Sequence, residues 1–180
     1  MKLNLAESLR KLMGKQMFEK ITIKQICDRA GVIRATFYNY FDDKYDCLNW
    51  IVYHDLIEKN YDHFMANQVG DHLKDALKTI EENRSFYRTA YNVIGQNSFE
   101  DMIRDNLSQF LSQYFNRYRK PDYLNKYENT LLAGYYAETL AFCVRLFVFE
   151  KGGCTSVENT ERMIYDLMSH SFYDFIKQGA

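Results

Sequence analysis

The chain has 180 residues, enough for one mid-sized domain or for a small module joined to a larger one, with a sizeable core. Its 47% hydrophobic and 26% charged residues exclude an intrinsically disordered protein. Residues 1–41 carry eight Lys/Arg and three acidic residues, a net charge of +5, so residues 42–180 sum to −6. A basic segment on an acidic body indicates nucleic-acid binding, although chance segregation on a solvated face gives the same count.

Hydrophobic periodicity predicts an all-α protein of about nine helices with no strand. The single proline, Pro121, and only eight glycines favour long helices, because both residue types interrupt them. We expect helices at about 3–17, 22–30, 34–40, 43–66, 71–83, 85–95, 98–120, 124–150 and 155–178.

Local signals mark two of these helices. Thr22 and Gln25 are spaced as a capping box, and Gly31 ends the helix that follows. Thr155 and Glu158 have the same capping-box spacing before the last helix.

Residues 22–44 predict a helix, a three-residue turn with Gly31, a short helix and then another helix. This is the layout of a helix-turn-helix, whose second helix enters the major groove of DNA. The apolar residues that can pack the short helix are Ala30, Val32, Phe37 and Phe41. The residues left to point outward are Arg34, Ala35, Tyr38 and Asn39.

The outward residue types suit DNA. Arginine pairs with guanine, asparagine pairs with adenine, and alanine can touch a thymine methyl group. Hydroxyl groups and a lysine suit phosphates, and they are supplied by Thr36, Tyr38, Tyr40 and Lys44.

The run AGVIRATFYNYFDDKYDCL, residues 30–48, resembles the signature of the TetR/AcrR family of transcriptional regulators. The matching positions are Ala30, Gly31, Val32, Thr36, Phe37, Tyr38, Tyr40, Phe41, Lys44 and Leu48. Two positions depart from the signature. Ile33 replaces a small polar residue and removes the expected N-cap of the recognition helix, and Ala35 replaces a glycine.

The resemblance implies roles for individual residues. Residues matching Arg34, Ala35 and Asn39 face base edges in the family. Those matching Thr36, Tyr38, Tyr40 and Lys44 commonly contact phosphates, and Lys24 matches another frequent DNA contact. The predicted DNA-binding residues are therefore Thr22, Lys24, Arg34, Ala35, Thr36, Tyr38, Asn39, Tyr40 and Lys44. The alternative for the two tyrosines is packing within the small three-helix core.

The resemblance also implies an architecture. Residues 1–46 would form the helix-turn-helix DNA-binding domain, and residues 47–180 an effector-binding and dimerisation domain. The last two helices would form a four-helix interface in a homodimer that reads two half-sites of a palindromic operator. The nearly apolar segment 131–149 contains Glu138 and Arg145, which are costly in a bilayer, so we expect a buried helix at a subunit interface.

Two segments, 37–51 and 85–103, resemble the dihydroxyacetone-kinase-regulator (DhaS-like) branch of the family. In at least one system of that branch the co-activator is a kinase-like protein. The candidate ligand-pocket residues are Tyr87, Tyr91, Asn92, Gln96 and Tyr114. The alternative is that they are core and surface residues of a helical bundle.

The function expected from the sequence is a dimeric DNA-binding regulator in the cytoplasm, a repressor controlled by an effector. The alternative is a regulator or adaptor that takes its signal from a protein co-activator. We expect no enzyme activity, cofactor or metal site, because the sequence shows no nucleophile motif, phosphate loop or ligand spacing. We interpret Cys27, Cys47, Cys143 and Cys154 as reduced core residues, with a redox pair as the alternative.

Overall fold

The computed structural model describes residues 1–119 and 127–175, and this part of the chain contains helices and 3-10 turns but no strand. The all-α prediction is confirmed. The helices are α1 (Lys2–Met13), α2 (Ile23–Ala30), α3 (Arg34–Tyr38), α4 (Lys44–Leu56), α5 (Tyr61–Met65), α6 (Val69–Glu82), α7 (Arg84–Ala90), α8 (Phe99–Tyr118), α9 (Asn129–Val148) and α10 (Val157–Ser169). The predicted break around Pro121 and the end of the helix predicted for 155–178 lie outside the described residues.

The single helix predicted for 43–66 is wrong, because α4 ends at Leu56 and a 3-10 turn separates it from α5. The side chain of His72 on α6 accounts for the break. Its ring nitrogens lie 2.9 Å from the carbonyl oxygen of Leu56 and 3.0 Å from that of Asn60. In a continuous helix the first of these carbonyls would accept from the N–H group four residues on. With α4 and α5 taken together, the described residues give the nine helices that were predicted.

The predicted capping box at the start of α2 is confirmed. The backbone N–H of Gln25 donates to the Thr22 hydroxyl at 3.3 Å, and the backbone N–H of Thr22 donates to Oε1 of Gln25 at 2.8 Å. Gly31 adopts φ 71° at the end of α2, a left-handed conformation that costs glycine little. These two ends fix the length of α2 and the direction in which the chain enters α3.

Helix α4 joins the N-terminal three-helix unit to the rest of the molecule. It packs against α1 on one side and against α8 on the other. Leu48 and Val52 are fully buried within a hydrophobic core that is continuous from α1 to α9. The predicted domain boundary between residues 46 and 47 falls inside this helix, which both predicted units share.

Helices α8 and α9 pack along each other and form the centre of the C-terminal part. Helix α9 is long and apolar enough to cross a membrane by length and composition alone, a test that core helices of soluble proteins also pass. One side of α9 is buried through Ala133, Ala137 and Val144. The other side is exposed in this single chain, so the predicted burial holds for one face only.

The capping box predicted from Thr155 and Glu158 is wrong by one residue. Ser156 is the N-cap of α10, and its hydroxyl accepts from the backbone N–H of Asn159 at 3.2 Å. The two glycines before it, Gly152 and Gly153, both have positive φ and shift the entry of the chain into the helix. The spacing of residues in the sequence alone could not predict that α10 is capped by Ser156 rather than by Thr155.

All four cysteines are buried and free, which agrees with their interpretation as core residues. Burial raises the pKa of the Cys143 thiol to about 11, and the neighbouring Cys154 adds to the shift.

Candidate nucleic-acid interface

Helix α3 is short, and its two sides differ sharply. Phe37 and, just after the helix, Phe41 are buried against the three-helix core, where their rings lie 5.6 Å apart. Arg34, Ala35 and Tyr38 face solvent. Side chains three and four residues apart share a helix face, so the structure brings the outward-facing residues together as the sequence predicted.

The structure places most of the predicted DNA-binding residues on the surface. Those exposed on or near α3 are Arg34, Ala35, Tyr38, Asn39 and Tyr40, and Thr36 is half-buried. Tyr38 is 51% exposed and Tyr40 is 42% exposed, so the three-helix core covers the two residues only in part.

Two predicted residues, one at the N-cap of α2 and one on the helix, are exposed but already have partners within the chain. The hydroxyl of Thr22 takes part in the capping box and donates to Oε1 of Gln25 at 3.0 Å. Nζ of Lys24 lies 2.7 Å from the carboxylate of Asp28, one helical turn further on. Both groups of this surface ion pair are well exposed, so the pair is weak and a phosphate could replace the aspartate.

Lys44 has a different environment from the other predicted residues. Its ammonium group donates to the carbonyl oxygens of Phe18, Glu19 and Ile21 at 2.9 to 3.0 Å. An ammonium has three donors, and these carbonyls occupy all of them. Burial lowers the pKa of Lys44, and the nearby carboxylates of Glu19 and Asp43 oppose that shift only in part. Lys44 therefore holds the start of α4 against the turn between α1 and α2. A phosphate contact would require it to leave a carbonyl.

The five residues predicted to line a ligand pocket do not converge. Tyr87 is fully buried and its hydroxyl donates to Asp55. Tyr91 is half-buried, and burial raises its pKa, but its hydroxyl has no hydrogen-bond partner among the described residues. Asn92, Gln96 and Tyr114 line three separate surface clefts. Among the described residues, no single cavity is lined by all five of these side chains.

An apolar cavity that sequence reasoning missed lies between α6, α8, α9 and α10. It has a volume of about 90 Å³ and is lined by Leu77, Leu107 and Val144, among others. It shares His72 and Met168 with a neighbouring cleft of about 230 Å³. It also shares Met168 with an open groove of about 690 Å³ between α6 and α10. Amphipathic patterns predicted that the inner faces of these helices are buried. Such patterns cannot predict that a cavity remains between the packed helices.

Within residues 1–119 and 127–175, no three His, Cys, Asp or Glu side chains cluster in a way that could hold a metal ion.

Two family profiles match the chain. The profile described as "Bacterial regulatory proteins, tetR family" covers residues 6–51. The profile described as "Transcriptional regulator C-terminal region" covers residues 67–146. The first includes the helix-turn-helix, and the second includes α6 to α8 and most of α9.

The chain is also similar to individual transcriptional regulators. The HTH-type dhaKLM operon transcriptional activator DhaS of Lactococcus lactis subsp. lactis (strain IL1403) is 29% identical over 120 residues, which is 66% of this chain. The match spans 63% of that relative's length, less than two thirds of it. The solved structure of a dihydroxyacetone kinase operon activator DhaS superposes with a TM-score of 0.64 at 22% identity and covers 93% of both chains. That likeness shows a shared fold.

Proposed function

Because the chain belongs to the TetR family of bacterial transcriptional regulators, we propose that it binds an operator in the cytoplasm as a homodimer and controls transcription from it. Residues 1–46 supply the DNA-binding unit. Residues 47–180 dimerise and receive the signal. Two copies of α3, one helical turn of DNA apart at roughly 34–36 Å, read the two halves of a palindromic site.

The exposed face of α3 carries this proposal. Three side chains that can read base edges, Arg34, Ala35 and Asn39, are exposed together, while Phe37 on the opposite side is fully buried. In the proposed complex the arginine pairs with guanine, the asparagine with adenine and the alanine with a thymine methyl group. Phosphates are contacted by Thr22, Lys24, Thr36, Tyr38 and Tyr40.

The homodimer is supported by an apolar surface on α9 and α10. Five large apolar side chains are exposed there: Leu131, Tyr135, Phe142, Tyr165 and Leu167. The first three follow one another at four and seven residues along α9 and so share one stripe of that helix. Contiguous apolar surface of this kind marks a protein interface, and a two-fold axis would pair the stripe with its copy.

The source of the signal has two candidates. A small-molecule site usually needs roughly 300–1,000 Å³. The apolar cavity between α6, α8, α9 and α10 has about 90 Å³ and falls below this range, and the larger spaces, such as the groove of about 690 Å³ between α6 and α10, are open to solvent. This observation favours the second candidate, a protein co-activator that acts on the C-terminal part. The relative from Lactococcus lactis is named as an activator of an operon, whereas the sequence alone predicted repression here.

Selection of genomic DNA fragments by the purified protein at physiological salt tests the proposal. We expect enrichment of a palindrome by the wild type, loss of one base preference in Arg34→Ala, and an unchanged profile in Arg117→Ala, whose arginine is exposed on α8. Weak, salt-sensitive binding without a shared sequence would show that the chain does not recognise an operator. A reporter placed behind the recovered site then shows activation as increased expression and repression as decreased expression.

A further inference from the structure

Ile33 is the most conspicuous apolar side chain on the DNA-binding unit. It is 72% exposed, although it lies between the half-buried Val32 and a helix whose Phe37 is fully buried. Its backbone is extended, with φ −83° and ψ 159°, and this conformation turns the side chain away from the core. Ile33 therefore contributes little to the packing of its own chain.

Ile33 also occupies a position where isoleucine is a poor choice. It is the N-cap of α3, and the structure shows no side-chain hydrogen bond capping that helix. Serine, threonine, aspartate or asparagine would accept a hydrogen bond from a free N–H of the first turn, which a branched hydrocarbon cannot do. Ile33 provides no capping hydrogen bond and exposes apolar surface to water. Neither the stability of the fold nor that of α3 therefore explains an isoleucine at this position.

We propose that Ile33 reads sequence, by contacting the C5-methyl group of one thymine in each half-site of the operator. This inference rests on the proposed function, which places α3 in the major groove. The residues at the N-terminal end of a recognition helix are those that reach base edges there. The thymine methyl group is the apolar feature that the major groove presents.

The hydrocarbon side chain of Ile33 limits the groups of DNA that it can recognise. Its side chain has no donor for a phosphate and no acceptor for an amino group, so it can distinguish bases only through apolar contact. Arg34 and Ala35 follow directly and are also exposed. Ile33 thus extends the base-reading surface by one residue towards the turn, at the position where the family signature has a small polar residue.

Replacement of thymine by deoxyuridine tests the contact, because it removes the methyl group and leaves base pairing intact. Each thymine of the selected operator is replaced symmetrically in both half-sites, and the dissociation constant is measured by fluorescence anisotropy. For the wild type we expect, besides the thymine that Ala35 contacts, one further position at which the affinity falls roughly fourfold for each methyl group lost, or roughly fifteenfold for both. In Ile33→Ala the affinity for the thymine operator should fall by a similar factor, with no further loss when deoxyuridine replaces thymine at that further position.

Ile94→Ala is the matched control, since Ile94 is 80% exposed on the loop between α7 and α8. It should show the wild-type response at every position. A flat deoxyuridine scan for the wild type would overturn the proposal, and so would an equal loss in the wild type and in Ile33→Ala. A uniform loss in Ile33→Ala on every probe would assign Ile33 to a protein contact instead. If the wild type selects no operator at all, the proposed function fails first and this inference fails with it.

Discussion

Arg10 and Asp55 form a buried ion pair that joins α1 to α4, with 2.9 Å between Nη2 and Oδ2. Asp55 is only 1% exposed, and the hydroxyl of Tyr87 on α7 donates to the same carboxylate oxygen at 3.0 Å. The guanidinium also lies over the ring of Phe86, 4.6 Å from its centroid. One carboxylate therefore links a helix of the DNA-binding unit to the connecting helix and to the C-terminal part.

The opposite side of α7 contacts α9. Arg84 donates to the carbonyl oxygen of Phe147, and Nε of Arg88 donates to that of Val148 at 2.9 Å. These carbonyls belong to the last turn of α9, and that of Phe147 also accepts from the backbone N–H of Glu150 at 3.2 Å. Helix α7 thus touches both the DNA-binding unit and a helix of the proposed dimer interface.

Asp55→Asn should destabilise the protein strongly. The substitution keeps the shape of the side chain but leaves the cation of Arg10 buried without its counter-charge. The expected loss is about 3 kcal/mol in the free energy of unfolding, measured by urea denaturation.

Glu7→Gln is the matched control for this prediction. Glu7 also contacts Arg10, at 3.1 Å from Nε, but its side chain is well exposed. Its removal should change the free energy of unfolding by less than about 0.5 kcal/mol. Equal losses of unfolding free energy in the two variants would mean that the buried Arg10–Asp55 pair stabilises the fold no more than the exposed Arg10–Glu7 pair.

Sequence patterns predicted those parts of the fold that depend on near neighbours. The spacing of Thr22 and Gln25 and the position of Gly31 locate both ends of α2, because each signal acts within one helical turn. The outward face of α3 followed from the same periodicity. By contrast, the end of α4 depends on His72, sixteen residues further on, and no local pattern could predict it.

Long-range contacts also explain what the sequence could not show about the site. Lys44 matches a position that commonly contacts phosphates in the family, yet its partners lie 23 to 26 residues earlier in the chain. Tyr87 was predicted as a pocket residue because of its type. Its burial against Asp55 became visible only once α4 and α7 were placed together.

Lys44→Met should show whether the ammonium holds the turn or binds DNA. Methionine keeps much of the apolar stem but cannot donate to the three carbonyls, so the free energy of unfolding should fall by about 2 kcal/mol. The slope of log K against log salt should match the wild type, because no phosphate contact is lost.

The comparison is Lys24→Met, whose lysine is exposed and paired with Asp28. Here stability should hardly change, and the salt slope should fall by roughly one unit if this residue contacts a phosphate. A reduced slope in Lys44→Met, with unchanged stability, would restore the phosphate role of Lys44.

Phe142→Lys should disrupt the proposed homodimer. The phenylalanine is exposed on the outer stripe of α9, and a two-fold axis would bury two lysines at once in an apolar interface. We expect the dimer dissociation constant to rise by at least roughly a hundredfold in sedimentation equilibrium. Ile94→Lys, an equally apolar surface position outside α9 and α10, should remain dimeric. A dimeric Phe142→Lys would place the interface elsewhere.

His72 should make stability depend on pH. Burial lowers its pKa, and the carbonyls of Asn60 and Leu56 oppose the shift without cancelling it. His63 also lowers the pKa, while Asp75 raises it, and the ring stacks on Phe110 at 4.8 Å. Because the folded chain takes up this proton at lower pH than the unfolded chain, neutral His72 stabilises the fold above the ordinary histidine pKa. That stabilisation is lost as the pH falls through the folded pKa.

Urea unfolding of the wild type and of His72→Gln between about pH 7 and pH 5 tests this linkage. The wild type should lose stability as the medium becomes acidic. The variant should be less stable near neutrality, because it loses the ring that contacts Leu56 and Asn60, but its stability should change less with pH. Glutamine has no proton to take up, so the difference between the two slopes reports on His72. Parallel slopes would show that His72 titrates alike in the folded and unfolded chains, and the burial of its ring would then have no effect on its charge.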